Sequence, residues 1–145
     1  MKSVRMKEIA FSGQSGKLAH NIIRNWLVGL RESNPAIIDM FAEREMKPAR
    51  ELLPWSGEFA GKYITGAYYI YRMTLDPDLY GEIKQFIAEL LSTQAENGYL
   101  GCWSHAYQLT GQPGGTWDAW GHYHVMYGLL MWSRETRDPA MLRAV

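Results

Sequence analysis

The strongest constraint on the fold of this chain is an internal repeat. A shift of 62 residues (117 − 55) superposes Trp55 on Trp117 and Gly66 on Gly128. Further pairs keep the same register: Arg72 with Arg134, Thr74 with Thr136, and Asp76-Pro77 with Asp138-Pro139. Repetition at this period indicates a supersecondary unit whose apolar faces are completed by its neighbours.

The apolar pattern of the first copy predicts two helices joined by a turn. From Glu58 to about Leu75, apolar residues surround most of the helical wheel, which predicts a helix buried on more than one side. Asp76 suits a helix cap and Pro77 a first helical position, so together they predict a stop and a restart. The next helix, to about Ala95, is predicted to back the core with one apolar stripe. Its members are Leu79, Ile83, Phe86, Ile87, Leu90 and Leu91.

The first fifty residues precede the repeat and predict shorter helices. A helix is expected from Lys17 to Glu32, because apolar residues recur there at helical spacing. These residues are Leu18, Ile22, Ile23, Trp26, Leu27 and Leu30. Asn34 as a cap, followed by Pro35, predicts a second helix that ends before Pro48. We expect one partial all-α domain over 1–145, with 1–50 as a helical lead-in and 51–145 as hairpin repeats.

A long loop separates the two copies of the repeat. It begins at Asn97-Gly98-Tyr99 and ends before a helix pattern that starts near Trp117. Its turn-forming residues include Gly111, Pro113, Gly114 and Gly115. A connection of this length is usually functional or partly disordered.

The second copy of the repeat contains less of its outer helix than the first. After Pro139, only Ala140 to Val145 remain, which is under two turns at about 3.6 residues per turn. The preceding apolar helix would then lack its cover, so we expect a fragment with exposed apolar surface and a tendency to self-associate. The alternative is a self-contained helical domain that covers this surface by dimerising.

Composition excludes several classes of partner. Fifteen basic residues balance fifteen acidic ones, so no global field favours nucleic acid or an anionic membrane. The N-terminus, Met1 to Phe11, has neither a signal-peptide pattern nor a membrane-spanning run. The only cysteine, Cys102, excludes an internal disulfide and fits a reducing compartment. The expected location is therefore the cytoplasm.

Aromatic and polar residues gather at the predicted starts of the two buried helices. If such hairpins close into a ring, the loops that enter the inner helices line one shared cleft. The cleft residues would be Trp55, Glu58, Lys62, Tyr99, Trp103, His105, Trp117, Asp118, Trp120, His122 and His124. Sugar rings pack their C–H faces on Trp and Tyr, and their hydroxyls need several polar partners. This mixture predicts a sugar-binding site.

Each candidate also has a structural interpretation. Glu58 and Asp118 are the carboxyl pair to consider for glycoside hydrolysis. Asp118 equally suits a helix cap, and Glu58 a first-turn acid favoured by the helix dipole. Trp55 and Trp117 recur in the repeat, which favours packing anchors.

The two histidines of the last helix and the lone cysteine predict no metal site. His122 and His124 are two positions apart on a helix and therefore point to different sides, so at most one faces the cleft. A buried, hydrogen-bonded histidine is the alternative for either. Cys102 reads most simply as an inert loop thiol.

A succession of short motifs resembles a known enzyme family. The motifs are Trp55-Ser56-Gly57-Glu58-Phe59-Ala60-Gly61-Lys62-Tyr63, Asp76-Pro77-Asp78-Leu79, Gln94, Asn97-Gly98-Tyr99-Leu100 and Trp117-Asp118-Ala119-Trp120-Gly121-His122. Their order and spacing, from Leu53 to Val145, resemble the β-L-arabinofuranosidase family, glycoside hydrolase family 127 and its uncharacterised relatives. The resemblance implies an (α/α)6 toroid of the six-hairpin glycosidase type. It also implies attack on terminal arabinofuranose or a similar sugar with retention of configuration.

The resemblance also implies roles for individual residues. A histidine that follows glycine in the second inner helix contacts the sugar in that family, and here this position is His122. The family's nucleophile is a zinc-bound cysteine and its acid/base is a glutamate, both in a later segment, and Cys102 does not match. We therefore expect the N-terminal portion of a glycoside hydrolase, inactive alone, with no cofactor in this chain and zinc implied only for the complete enzyme. The alternative is a non-catalytic helical module that binds a saccharide or a protein.

Overall fold

The computed structural model describes residues 11–109 and 117–145, and all regular structure in these two ranges is helical. The elements are α1 (Gly13–Ile22), a π-helical turn (Ile23–Leu27), α2 (Leu30–Ser33), α3 (Ala36–Ala42), α4 (Glu58–Thr74), α5 (Pro77–Ser92), a 3₁₀ turn (His105–Tyr107), α6 (Asp118–Thr136) and α7 (Pro139–Ala144). The prediction of an all-α chain is confirmed. Gly111, Pro113, Gly114 and Gly115 of the predicted loop lie outside the described residues.

The two helices that start the repeats, α4 and α6, lie side by side and parallel. The segments that lead into them are tied by a hydrogen bond of 2.8 Å from the Trp117 N–H to the Pro54 carbonyl. At Gly61 the helices touch backbone to backbone, since a Cβ there would lie 2.1 Å from the carbonyl carbon of His124. Gly128 of α6 packs against the Ile64 side chain and the Gly61 carbonyl of α4, at 3.0 and 3.1 Å from a Cβ placed there. The parallel packing brings the starts of both helices to one end of the molecule.

The turn that follows each of these helices is built identically in the two copies. The hydroxyls of Thr74 and Thr136 donate to the carbonyl four residues earlier, at 2.9 and 3.1 Å. They also accept the N–H two residues later, at 3.4 and 3.3 Å. Asp76 then caps α5 by accepting from two first-turn N–H groups, and Asp138 caps α7 by accepting from one. The predicted Asp-Pro stop and restart is confirmed at both places.

Helix α5 backs the core, as its single apolar stripe predicts. The stripe residues Leu79, Ile83, Phe86, Ile87 and Leu90 are buried, and Leu91 is partly buried. They pack in one cluster with Ile64 and Ala67 of α4 and with Phe41 of α3. Helix α3 itself confirms the element predicted after Asn34.

The prediction of one continuous helix from Lys17 to Glu32 is wrong, because the chain forms α1, a π-helical turn and α2 there. The backbone becomes extended at Val28, and Gly29 adopts a left-handed conformation with φ of 85°. Glycine reaches this region at little steric cost, so the chain turns there. Two residues of the predicted apolar stripe, Leu18 and Trp26, are exposed at 60% and 74% rather than buried.

Ion pairs attach this lead-in to α5. Arg31 contacts Glu82 at 3.1 Å and Glu89 at 2.5 Å. Arg24 contacts Asp76, the α5 cap, at 2.9 Å. Within the described residues, no helix combines the length and apolar character that crossing a membrane requires.

Candidate functional site

The starts of α4 and α6 meet at one end of the molecule, as the repeat predicts. The rings of Trp55 and Trp117 lie 5.5 Å apart between centroids. Behind them, a Cβ at Gly121 would come within 3.2 Å of the Gly57 backbone, so the two first turns are in close contact. This contact fixes the positions of the polar residues that follow each tryptophan.

One group of polar residues centres on Asp118, and we call Tyr99, Asp118 and His122 the Asp118 cluster. The Asp118 carboxylate accepts hydrogen bonds of 2.9 Å from the Tyr99 hydroxyl and 2.9 Å from the Leu109 N–H. His122 Nδ1 lies 3.3 Å from the carboxylate and 3.0 Å from the Asp118 carbonyl. Asp118 is only 4% exposed, so it links the long loop to α6 inside the protein.

The electrostatics of this cluster favour a charged pair. Burial raises the pKa of Asp118, but hydrogen bonds from His122, the Leu109 N–H and Tyr99 outweigh it and hold the pKa below the usual 3.8. The hydrogen bond to Asp118 raises the pKa of His122 above the usual 6.5. The His122 side chain remains 20% exposed, so the ring reaches the surface while its carboxylate partner does not.

Tyr99 is held as a neutral donor by its surroundings. Burial, followed by the charge of Asp118, raises the pKa of its phenol well above the usual 10. Arg44 of the lead-in donates a hydrogen bond of 3.3 Å to the Tyr99 carbonyl and lies 5.4 Å from its ring centroid. The Trp103 N–H donates to the Tyr99 hydroxyl at 3.2 Å. Tyr99 therefore orients Asp118 and anchors the loop.

Cys102 lies beside this cluster, but its environment keeps the thiol unreactive. The residue is 2% exposed, and burial, followed by the nearby charge of Asp118, raises its pKa to about 12. A thiol in this state is neither a nucleophile nor a metal ligand at neutral pH. In the parts of the chain that the structure describes, no three His, Cys, Asp or Glu side chains lie together as metal ligands. These residues do not fit a zinc site.

A second group of polar residues centres on Glu58, and we call Glu58, Lys62, Trp120 and His124 the Glu58 cluster. Glu58 is 7% exposed and accepts hydrogen bonds from the Trp120 indole and from Lys62 Nζ, the latter at 2.7 Å. Burial raises the pKa of Glu58, yet these two hydrogen bonds and the charge of Lys62 hold it below the usual 4.5. The buried carboxylate thus fixes the indole in place.

His124 completes the Glu58 cluster as a neutral ring. Its ring packs edge-on against Trp120 at 4.6 Å between centroids. Burial, followed by the charge of Lys62, lowers its pKa below the usual 6.5. Its Nε2 is buried and has no hydrogen-bond partner among the described residues.

The four predicted cleft residues that belong to α6 lie on two different sides of that helix. Asp118 and His122 share one side, and Trp120 and His124 share another, because two positions correspond to about 200° around a helix. The sequence indicated this divergence for the two histidines. It gave no signal for Arg44, which lies outside the repeat.

The two remaining predicted residues, Trp103 and His105, line two different hollows. Trp103 lines a cavity of about 150 Å³ together with Met40, Arg44, Arg50 and Cys102. This is smaller than the roughly 300 to 1,000 Å³ of most small-molecule pockets. His105 is elsewhere, in an open depression, and its N–H donates to Glu45 at 2.7 Å. Neither hollow contains His122 or Glu58.

Comparisons with known proteins identify one family. A model of the catalytic domain described as "Beta-L-arabinofuranosidase, GH127 catalytic domain" matches residues 4–145. No curated protein and no solved structure matches the chain. The family match covers both the lead-in and the two copies of the repeat.

Proposed function

The chain belongs to the β-L-arabinofuranosidase family of glycoside hydrolases, and from this premise we propose that it binds terminal L-arabinofuranose or a related sugar through His122. The observation that carries the proposal is the Asp118 cluster. It presents one partly exposed imidazole, held by a buried carboxylate, at the end of the molecule where Trp55 and Trp117 meet. We also propose that α4 and α6 are neighbouring inner helices of an (α/α)6 toroid.

Asp118 gives His122 the properties that sugar recognition requires. Its carboxylate and carbonyl both engage Nδ1, which fixes the ring orientation and leaves Nε2 as the nitrogen for a sugar hydroxyl. Because the pKa of His122 is raised, Nε2 acts as a donor over a wider pH range than in free histidine. A fixed donor of this kind binds without a large loss of side-chain entropy.

We further propose that this chain binds the sugar without hydrolysing it. The resemblance assigns the nucleophile to a zinc-bound cysteine, and the only cysteine here is buried with a pKa of about 12. The same observation supports the second candidate, a non-catalytic saccharide-binding module. Both candidates predict no release of a chromogenic aglycone from an arabinofuranoside by the chain with added Zn²⁺. Measurable release, abolished in Cys102→Ala, would contradict this.

Two substitutions at His122 test the sugar contact. In His122→Asn the amide can replace Nδ1 and keep the bond to Asp118, while the Nε2 donor is lost. In His122→Gln the amide lies nearer the Nε2 position. We expect the Asn variant to bind a methyl arabinofuranoside about tenfold more weakly, the effect of one lost hydrogen bond of roughly 1.4 kcal/mol. The Gln variant should retain more of the affinity.

The measurement is an NMR titration that follows the tryptophan indole N–H signals. Trp26→Ala is the matched control, because this exposed indole lies on the lead-in outside both clusters. Its removal should leave the affinity unchanged. Equal affinities for wild type and His122→Asn would exclude His122 as a sugar contact.

A further inference from the structure

A continuous row of exposed aromatic rings runs along α6 and crosses to α4. We call Trp120, Tyr123, Tyr127 and Tyr69 the aromatic row. Trp120 and Tyr123 stack at 5.5 Å and 24°, and Tyr123 and Tyr127 at 6.1 Å and 13°. The hydroxyls of Tyr127 and Tyr69 lie 3.3 Å apart and link the two helices. All four side chains are between 37% and 50% exposed.

The row is held in shape by the structure beneath it. Glu58, which is buried, accepts the Trp120 indole N–H and fixes the first ring. At the other end, the hydroxyl contact fixes Tyr127 against Tyr69. From Trp120 to Tyr127 the helix rises about 10 Å at roughly 1.5 Å per residue, which is longer than a single sugar ring.

The surface beside the row on α4 is open at Gly66. Gly66 is exposed, and a Cβ placed there would meet nothing within 4 Å. Its neighbours one helical turn away on α4 are Lys62 and Tyr69, so this open position lies between a polar side chain and the row. A ligand that packs on the rings therefore has room on the α4 side.

The chemistry of this surface suits a neutral, hydroxyl-rich ligand. The charge of Lys62 is paired with Glu58 at 2.7 Å, so the surface offers no net charge to a phosphate or nucleic acid. The Trp120 indole N–H is already donated to Glu58, so the polar edges open to a ligand are the three phenol hydroxyls, two of which contact each other. Phenol hydroxyls and apolar ring faces together suit a hydroxyl-rich ligand. The row is therefore fitted to sugars rather than to an anion.

We propose that the aromatic row is a second saccharide-binding surface, separate from His122, that binds neighbouring units of an oligosaccharide or polysaccharide. The row lies on the side of α6 that carries Trp120 and His124, whereas His122 lies about 200° around the helix. It binds chains better than single sugars, because several rings contact successive units at once. The choice of a saccharide rests on the proposed function, while the position of the surface does not depend on His122.

The test compares binding of arabinose with binding of arabino-oligosaccharides of increasing length, by NMR titration of the whole chain. Wild-type affinity should rise with oligosaccharide length. Tyr123→Ala should lose about tenfold for the longest chain and nothing for arabinose. Tyr123→Phe keeps the ring and should bind as wild type does. Tyr123 is half exposed, so removing its ring leaves the core unchanged.

Each other outcome gives a definite answer. Affinity that is independent of chain length, or a Tyr123→Ala variant that binds like wild type, would overturn the second surface. Loss of oligosaccharide binding in His122→Asn would show one site rather than two and would also overturn it. Loss of arabinose binding alone in that variant supports both proposals. Concentration-dependent dimers that Tyr123→Ala abolishes, without any effect of sugar, would reassign the row to a contact between two copies of this chain.

Discussion

Among single residues, Asp118 determines the arrangement of the candidate site. Its buried carboxylate receives the Tyr99 hydroxyl and the Leu109 N–H from the loop, and the His122 ring from α6. A buried carboxylate is stable only when several donors compensate for its lost hydration. The same residue therefore attaches the loop to the helix and orients the imidazole.

The Asp118 and His122 pair predicts how stability depends on pH. The folded-state pKa of His122 lies above its usual 6.5, so its contribution is fully present below that value and is lost as pH rises through the folded pKa. The folded-state pKa of Asp118 lies below 3.8, so its contribution is present above that value and is lost as pH falls. Stability from the pair should be greatest between these two usual values and should decline as pH rises above 6.5 through the folded-state pKa of His122.

Urea unfolding of wild type and His122→Asn at about pH 6 and about pH 8 measures this contribution. The free energy of unfolding of wild type should fall between the two pH values by more than that of the variant. Asn does not titrate, so the variant removes this contribution while keeping a donor to Asp118. Equal changes in the two proteins would show that protonation of His122 does not stabilise the fold.

The sequence identified the members of the site better than their arrangement. Asp118 and His122 were found because they follow the repeated Trp117, and Tyr99 because it opens the loop. Arg44 could not be found, because its role depends on the lead-in packing against the end of α5, where it donates to the Thr93 carbonyl. The Leu109 contact uses a backbone N–H, which any residue other than proline supplies.

Among the helices, the contact between α4 and α6 depends on glycine. Gly61 allows the two backbones to touch, and an added methyl group would overlap the α6 backbone. Neither helix can move away easily, since the Trp117 N–H to Pro54 carbonyl bond ties their starts. The side-by-side packing of the two repeats therefore requires the absence of a side chain at this position.

Two glycine substitutions on α4 test this requirement. Gly61→Ala should destabilise the fold by about 3 kcal/mol, because the new Cβ overlaps rigid backbone. Gly66→Ala is the matched control on the same helix, where a Cβ meets nothing, and should stabilise by roughly 0.5 to 1 kcal/mol through helix propensity. Thermal and urea unfolding give both values. Similar effects of the two substitutions would contradict the close-packing argument.

The helices of the repeat were predictable because the local cap and apolar patterns give the same helix boundaries as the repeat does. The Asp-Pro pairs, the threonines and the apolar stripe of α5 each specify a cap or a face without reference to the rest of the fold. The break in the lead-in was not predictable, because the apolar spacing continues across Gly29 and a single glycine is compatible with a helix. Only tertiary packing determines that the chain turns at this residue.

In the molecule as a whole, the lead-in is attached to the repeats by apolar packing and by a few directed polar contacts. Arg31 bridges Glu82 and Glu89 on α5, and the Tyr63 hydroxyl donates to the Leu27 carbonyl at 3.1 Å. The Arg31 and Glu82 side chains are 15% and 9% exposed, so solvent screens this pair only partly. Ile23 and Phe41 of the lead-in are buried in the same core as α4 and α5. Leu18 and Trp26, in contrast, are exposed and add little apolar packing.

Removal of the Arg31 bridge should therefore loosen the lead-in before the repeats. Arg31→Met keeps an unbranched apolar stem but leaves Glu82 unpaired, which should cost about 2 kcal/mol, the range for hydrogen bonds to charged groups. Amide hydrogen exchange should accelerate in α1 and α2 by more than in α4 and α5. Lys84→Ala, at an exposed position of α5, is the matched control and should change neither region. Equal acceleration throughout the chain in Arg31→Met would show that lead-in and repeats unfold as one unit, and unchanged exchange would show that the bridge adds no stability.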